Sequence, residues 1–114
     1  MKIEQKGNYI IANIEGDVDH CNAYDIKKLI DNKIRTSDAQ NLIFDFSWLD
    51  FMDSSGIGMV LGRYKIIRAL GGKVFIAGAN ESVQKIINIS GLHKIIPEYE
   101  SIESALGKLC EVRN

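Results

Sequence analysis

Residues 41–77 read NLIFDFSWLDFMDSSGIGMVLGRYKIIRALGGKVFIA, and the order of patterns inside this stretch decides the fold. Asn41–Phe46 alternates Leu42, Phe44 and Phe46 on one side, as a buried strand does. Ile57, Val60, Leu61, Tyr64 and Ile67 then recur at helical spacing, and Gly71-Gly72 forms a stop. Lys73–Ala77 (KVFIA) is a second short apolar run with strand composition. Strand, helix, strand at this length is a crossover unit, which joins parallel neighbours with a right-handed hand. Between the first strand and the helix, Ser47–Asp53 reads as a loop delivering Asp53-Ser54-Ser55-Gly56 to the helix start.

Outward from this unit, Lys2–Gln5 and Tyr9–Glu15 flank a Lys6-Gly7-Asn8 turn and read as a hairpin. Gly16-Asp17-Val18-Asp19 breaks the alternation, and Asp19 is placed to cap the helix that follows. That helix carries Ile26, Leu29, Ile30 and Ile34 as its apolar stripe, with Lys27, Lys28, Asp31 and Asn32 on the wet side. Downstream, Glu81–Ser90 is a short helix stopped by Gly91, and Lys94–Ile96 is expected to be a short strand before Pro97. Ser101 reads as the N-cap of a last helix with Ile102, Ala105, Leu106 and Leu109 inward and Cys110 in its core. The expectation is an α/β fold: one domain over residues 1–114, with a mixed β-sheet of four to five strands and four helices packed on it.

The 114 residues suit one domain with a core of its own. A hydrophobic fraction of 46% with 25% charged residues is that of an ordinary globular protein. The net charge of -1 argues against nucleic acid or an anionic membrane surface as partner. Cys21 and Cys110 match neither a disulfide framework nor a zinc pattern and read as reduced thiols of a cytoplasmic protein. No secretory leader and no apolar run near the ~20 residues of a membrane span is visible. A monomer is the expected free state.

Asp53-Ser54-Ser55-Gly56 has two readings. Asp53 or Ser54 is a helix cap, worth ~1 kcal/mol, or a hydroxyl is held at the helix N-terminus for chemistry, where free N–H donors and about half a positive charge favour a phosphate. Three enzyme readings are poorer. Gly56, Gly58 and Gly62 are spaced G-x-G-x-x-x-G, not as a dinucleotide fingerprint, and Asn80 stands where an acidic ribose ligand would be wanted; Gly58 and Gly62 are expected to let the helix pack closely on the sheet. A triad of Ser54 with His20 or His93 lacks the nucleophile elbow. Asp17, Asp19 and Asp53 lack the pattern of a calcium loop. No catalysis, no cofactor and no metal are expected.

Phe51–Lys65 (FMDSSGIGMVLGRYK) closely resembles the signature of the anti-sigma-factor antagonists, the small STAS domains, and most of all their sporulation sigma-F branch. Gly16-Asp17-Val18-Asp19-His20 resembles that branch's Gly-Glu-Leu-Asp-His element, with Asp17 in place of Glu and Cys21 where a second histidine is common. Ile89–Ile96 (ISGLHKII) resembles its late Ser-Gly-Leu segment. The resemblance implies a partner switch without catalysis of its own. The unphosphorylated protein binds an anti-sigma factor that is also a serine kinase and so frees the sporulation sigma factor F. Phosphorylation at Ser54 ends the interaction, and a serine phosphatase restores it. The partner-binding residues expected on this basis are Asp19, Asp53, Ser54, Ser55 and Gly56, with Asp19 beside Ser54 and Gly56 kept bare for close approach. An antagonist of a stress-response anti-sigma kinase and a small nucleotide-binding domain are the alternatives.

Overall fold

The computed structural model describes residues 1–113, with residues 108–113 described by backbone alone. Strands β1 (Lys2–Lys6) and β2 (Tyr9–Asn13) form the hairpin, in antiparallel register from Lys2↔Asn13 to Lys6↔Tyr9. β3 (Gly16–Val18) follows, then helix α1 (Ala23–Thr36), β4 (Asn41–Asp45), β5 (Leu49–Met52), α2 (Ser54–Ala69) and β6 (Val74–Ala77). Helix α3 (Glu81–Ser90), a 3-10 turn at Leu92–Lys94, β7 (Glu98–Tyr99) and α4 (Ile102–Arg113) complete the chain. The main sheet has the order β1-β2-β4-β6-β7, parallel except at the hairpin, and β3 and β5 form a separate parallel pair. The mixed five-stranded sheet and four helices agree with expectation.

Two segments differ from the sequence reading. Ser47–Asp53 is not a plain loop: Leu49–Met52 is a strand whose ends are buried and whose middle, Asp50 and Phe51, is exposed. Lys94–Ile96 is not a strand. Ile95 and Ile96 both donate backbone N–H bonds to the Leu92 carbonyl, which winds that segment into the 3-10 turn. The strand forms after Pro97, whose carbonyl accepts from Ile76.

Both faces of the main sheet are covered, so successive strand residues are buried on opposite sides. Ile10, Ala12, Leu42, Phe44 and Ile76 face the larger core with α1, α2 and α3, whereas Ile11, Ile43, Phe75 and Ala77 face Ile102 and Leu106 of α4. At ~25 cal/mol per Å² of apolar area removed from water, this double-sided burial is the main favourable term. Ser101 caps α4 as expected, its Oγ accepting from Ser104 N at 3.0 Å. The side chains of Leu109 and Cys110 lie outside the described residues. Leu29, expected in the core, is 54% exposed, since Ala23, Ile26, Ile30 and Ile34 form the buried face of α1.

Helix α2 buries Met59, Val60 and Ile67 together with one charged residue, Arg63. Its C-terminus closes through a Gly72 N–H bond to the Ile67 carbonyl, and a side chain at Gly72 would collide with the Gln40 backbone. No helix among the described residues is long and apolar enough to cross a membrane.

Candidate functional site

β3 and β5 run side by side in parallel, Val18 opposite Met52, and Asp53 N donates to the Val18 carbonyl at 3.1 Å. The two strands therefore release Asp19 and Asp53 at the same end, and α2 begins one residue later at Ser54. This brings the Asp19 loop and the Asp53-Ser54-Ser55-Gly56 start of α2 to one surface, as the sequence suggested.

The cap is Asp53. Its backbone is extended and its Oδ1 accepts from Ser55 N at 2.8 Å, while its carbonyl accepts from Gly56 N and Ile57 N. Two of the donors left free at a helix start are thus held by Asp53 without help from either serine. Ser54 stands exposed in the first turn with its hydroxyl not needed for capping, and Ser55 is half-buried. Asp19 fastens the turn ahead of α1. Its Oδ1 accepts from Cys21 N at 2.9 Å and Asn22 N at 3.3 Å, and its N–H donates to Asn22 Oδ1 at 2.9 Å. Asn22 Nδ2 reaches back to the Asp17 carbonyl at 2.8 Å, so this loop is held in shape from within.

Gly56 is buried, and a Cβ there would meet Met52 Cβ at 2.9 Å and its Sδ at 3.0 Å. Its bareness lets α2 start directly over β5; the close approach is to the protein's own strand. Gly58 and Gly62 are the reverse of what was expected: a Cβ at either would meet nothing within 4 Å, so neither serves packing on the sheet. Asn80 has a structural duty. Its Oδ1 caps α3 at Val83 N, 2.8 Å, and its Nδ2 donates to the carbonyls of Leu49 and Asp50 at 3.0 and 3.3 Å, tying α3 to β5. His20 lies in the Asp19 loop, 3.6 Å from Cys21 Sγ, whereas His93 lies in the 3-10 turn at Leu92–Lys94. Among the described residues no three His, Cys, Asp or Glu side chains converge as metal ligands, so Asp17, Asp19 and Asp53 do not form a site.

Phe51 escaped the sequence reading. It is 47% exposed in β5, opposite Asp17 and two residues ahead of Asp53. It adds an apolar element to the surface around Ser54. No alternation signalled it: strand geometry puts Phe51 on the side of Leu49, which is buried.

Comparison with known proteins accords with this arrangement. The STAS domain model matches residues 1–105. The anti-sigma F factor antagonist of Paenibacillus polymyxa is 32% identical over 109 residues, covering 96% of this chain and 93% of that protein. The anti-sigma-B factor antagonist of Bacillus subtilis is 30% identical over 82% of this chain and 84% of its own. Among solved structures, the anti-sigma factor antagonist SpoIIAA in its unphosphorylated form superposes with a TM-score of 0.84 at 27% identity, covering 96% of both chains. The same protein from Bacillus is also known in a phosphorylated form, which superposes at 0.75. The chain belongs to the STAS domain family and, within it, to the anti-sigma factor antagonists.

Proposed function

We propose that this protein is a phosphorylation-gated antagonist acting on the anti-sigma factor of the sporulation sigma factor F. In the unphosphorylated state its Asp19–Ser54 surface binds an anti-sigma factor with serine kinase activity, and the sigma factor is set free for transcription. The kinase transfers the γ-phosphoryl group of ATP to the Ser54 hydroxyl, whose proton is lost, and ADP leaves. A serine phosphatase hydrolyses phospho-Ser54 and returns the binding form. The protein works as a cytoplasmic monomer between these partners.

The observation that carries this reading is the division of labour at the start of α2. Asp53 caps the helix, so the exposed Ser54 hydroxyl can be modified without unfolding the turn that presents it. A phosphate adds about -1.5 to -2 charge. The helix N-terminus tolerates that charge locally, but it falls beside Asp53, opposite a net protein charge of only -1. Any partner built to meet Asp19 and Asp53 then faces a denser negative surface and has to desolvate a dianion. The switch is local repulsion at a docking surface rather than a change of fold. The sporulation branch is favoured over the stress-response branch by the 32% identity to an anti-sigma F factor antagonist over 96% of the chain, against 30% over 82% and 23% over 90% for anti-sigma-B factor antagonists.

The test is titration of unphosphorylated and phosphorylated protein into anti-sigma F factor and anti-sigma B factor with Mg-ADP. The reading requires tight binding of the first form to the F factor and at least a hundredfold weakening by phosphate, about 2.8 kcal/mol. Equal affinity of the two forms refutes it, and preference for the B factor moves the protein to the stress-response branch.

A further inference from the structure

Leu49 and Met52 are both buried in β5, although the alternation of a regular strand would turn them to opposite sides. The register with β3 gives the reason. Gly16 lies opposite Leu49, Asp17 opposite Phe51 and Val18 opposite Met52, so Asp50 is an extra residue without a partner. This is a β-bulge, rare between parallel strands and a device that re-aims the residues beyond it. It turns Phe51 outward with Asp17 and sends Met52 inward with Val18. Met52 is then in place beneath Gly56, and the Asp53 N–H closes on the Val18 carbonyl at 3.1 Å. Without the bulge, Phe51 would fall opposite Val18 and turn inward, and Met52 would turn outward. Ser54 would stand one residue, about 3.3 Å, further along the strand direction.

One side chain grips the bulge. Asn80 Nδ2 donates to the carbonyls of Leu49 and Asp50 at 3.0 and 3.3 Å, while its Oδ1 accepts from Val83 N at 2.8 Å. The amide is thus anchored on the first turn of α3 and spends its two N–H donors on the bulge. A helix cap needs only the oxygen, and aspartate or serine would serve it as well. The nitrogen is what distinguishes asparagine at this position.

We infer that Asn80 is a positioning residue for the phosphorylation of Ser54. Through the bulge at Asp50 it sets where Met52, Asp53 and the Ser54 hydroxyl stand relative to the Asp19 loop when the γ-phosphoryl group passes from ATP to the Ser54 oxygen. Such transfer needs its reacting atoms about 3–3.5 Å apart and aligned, and a misplacement of about 1 Å can cost on the order of a hundredfold in rate. Loss of the grip on the bulge therefore acts on the rate of transfer more than on the encounter with the kinase. This role rests on the reading of Ser54 as the substrate of an anti-sigma kinase.

The experiment compares wild type, Asn80→Asp, Asn80→Ser and Gln84→Ala in single-turnover phosphorylation by anti-sigma F factor with Mg-ATP, with anti-sigma B factor in parallel and thermal unfolding of each protein. Asn80→Asp and Asn80→Ser keep a capping oxygen for α3 and lose the donor to the bulge. Gln84→Ala removes the Gln84 Nε2 bond to the Ala79 carbonyl, 2.8 Å, and so loosens the same end of α3 without touching β5. At saturating kinase both Asn80 variants, folded at the assay temperature, are expected to be phosphorylated at least tenfold more slowly than wild type, about 1.4 kcal/mol. The kinase concentration for half-maximal rate should stay within threefold, and Gln84→Ala should match wild type within twofold. A cap that served stability alone would leave the saturated rate of the folded protein unchanged. If wild type is phosphorylated and both folded Asn80 variants keep a saturated rate within twofold of it, the positioning role is overturned and the antagonist reading stands. A loss confined to the half-maximal concentration, or an equal loss in Gln84→Ala, also overturns it. If neither factor phosphorylates wild type, the kinase-substrate reading falls, and the positioning role with it.

Discussion

Replacing Asp31 with alanine should be one of the most damaging single changes outside the apolar core. The guanidinium of Arg63 has left water almost completely, at 5% exposure, and its counter-charge is Asp31 at 2.7 Å. Breaking a buried pair from one side costs ~3–5 kcal/mol, because an uncompensated charge remains. Two features of this pair lower the figure. The Asp31 side chain keeps 30% of its exposure, so water can enter where the carboxylate was, and Arg63 NH1 keeps its bond to the Met59 carbonyl at 3.2 Å. We therefore expect a loss of ~2–3 kcal/mol, or a fall of roughly 8–15 °C in unfolding temperature for a domain of this size. Arg63→Met should lose ~1 kcal/mol, since the orphaned Asp31 can rehydrate. Asp31→Ala with Arg63→Met together should lose only ~1–2 kcal/mol, a coupling of about 2 kcal/mol. Urea unfolding followed by circular dichroism on the four proteins closes the cycle. A loss below ~0.5 kcal/mol in Asp31→Ala, the range of an exposed pair, would refute the view that this ion pair locks α1 to α2.

Asp53→Ala should lower stability by ~1 kcal/mol, because Ser55 N loses its acceptor; equal urea midpoints would mean Ser54 takes over the cap. Gly56→Leu should lose ~2–3 kcal/mol by overpacking against Met52, whereas Gly58→Ala should hold or gain stability, and the same denaturation assay separates the two. Partial burial raises the Glu98 carboxyl pKa, and the nearby His93 charge opposes that rise. The folded state then holds the proton to higher pH than the unfolded chain, so this group's contribution to stability falls as pH rises from the ordinary glutamate value through the raised one. Glu98→Gln should remove that downward slope, which thermal unfolding across pH 4–7 would register against the wild type. Millimolar ATP or GTP should leave the unfolding temperature unchanged; a bound nucleotide would raise it by RT ln(1 + [L]/Kd) and revive the nucleotide-binding alternative.

The crossover unit and the end of the sheet that carries the site were legible because their signals are periodic. Phe44 and Phe46 alternate, Val60 and Ile67 share a helical face, and Asp53-Ser54-Ser55-Gly56 stands where the period changes from strand to helix. β5 was not legible, since Leu49 and Met52 are buried at its ends and Asp50 and Phe51 are exposed between them, a pattern without alternation. Its pairing with β3 depends on a segment distant in sequence, which no local pattern reveals. Arg63 was passed over because an arginine reads as wet, yet its position three residues after Val60 and four before Ile67 lies on the buried face. The glycines of α2 could not be told apart by sequence. Gly56 is set by Met52 beneath it, and Gly58 and Gly62 by nothing inside the chain.

The account stands or falls on Ser54. Wild type and Ser54→Ala, incubated with anti-sigma F factor and Mg-ATP, are weighed intact by mass spectrometry, with anti-sigma B factor in parallel. The account predicts one added phosphate on wild type and none on Ser54→Ala. A phosphate on both proteins, or on neither with either kinase, would contradict it.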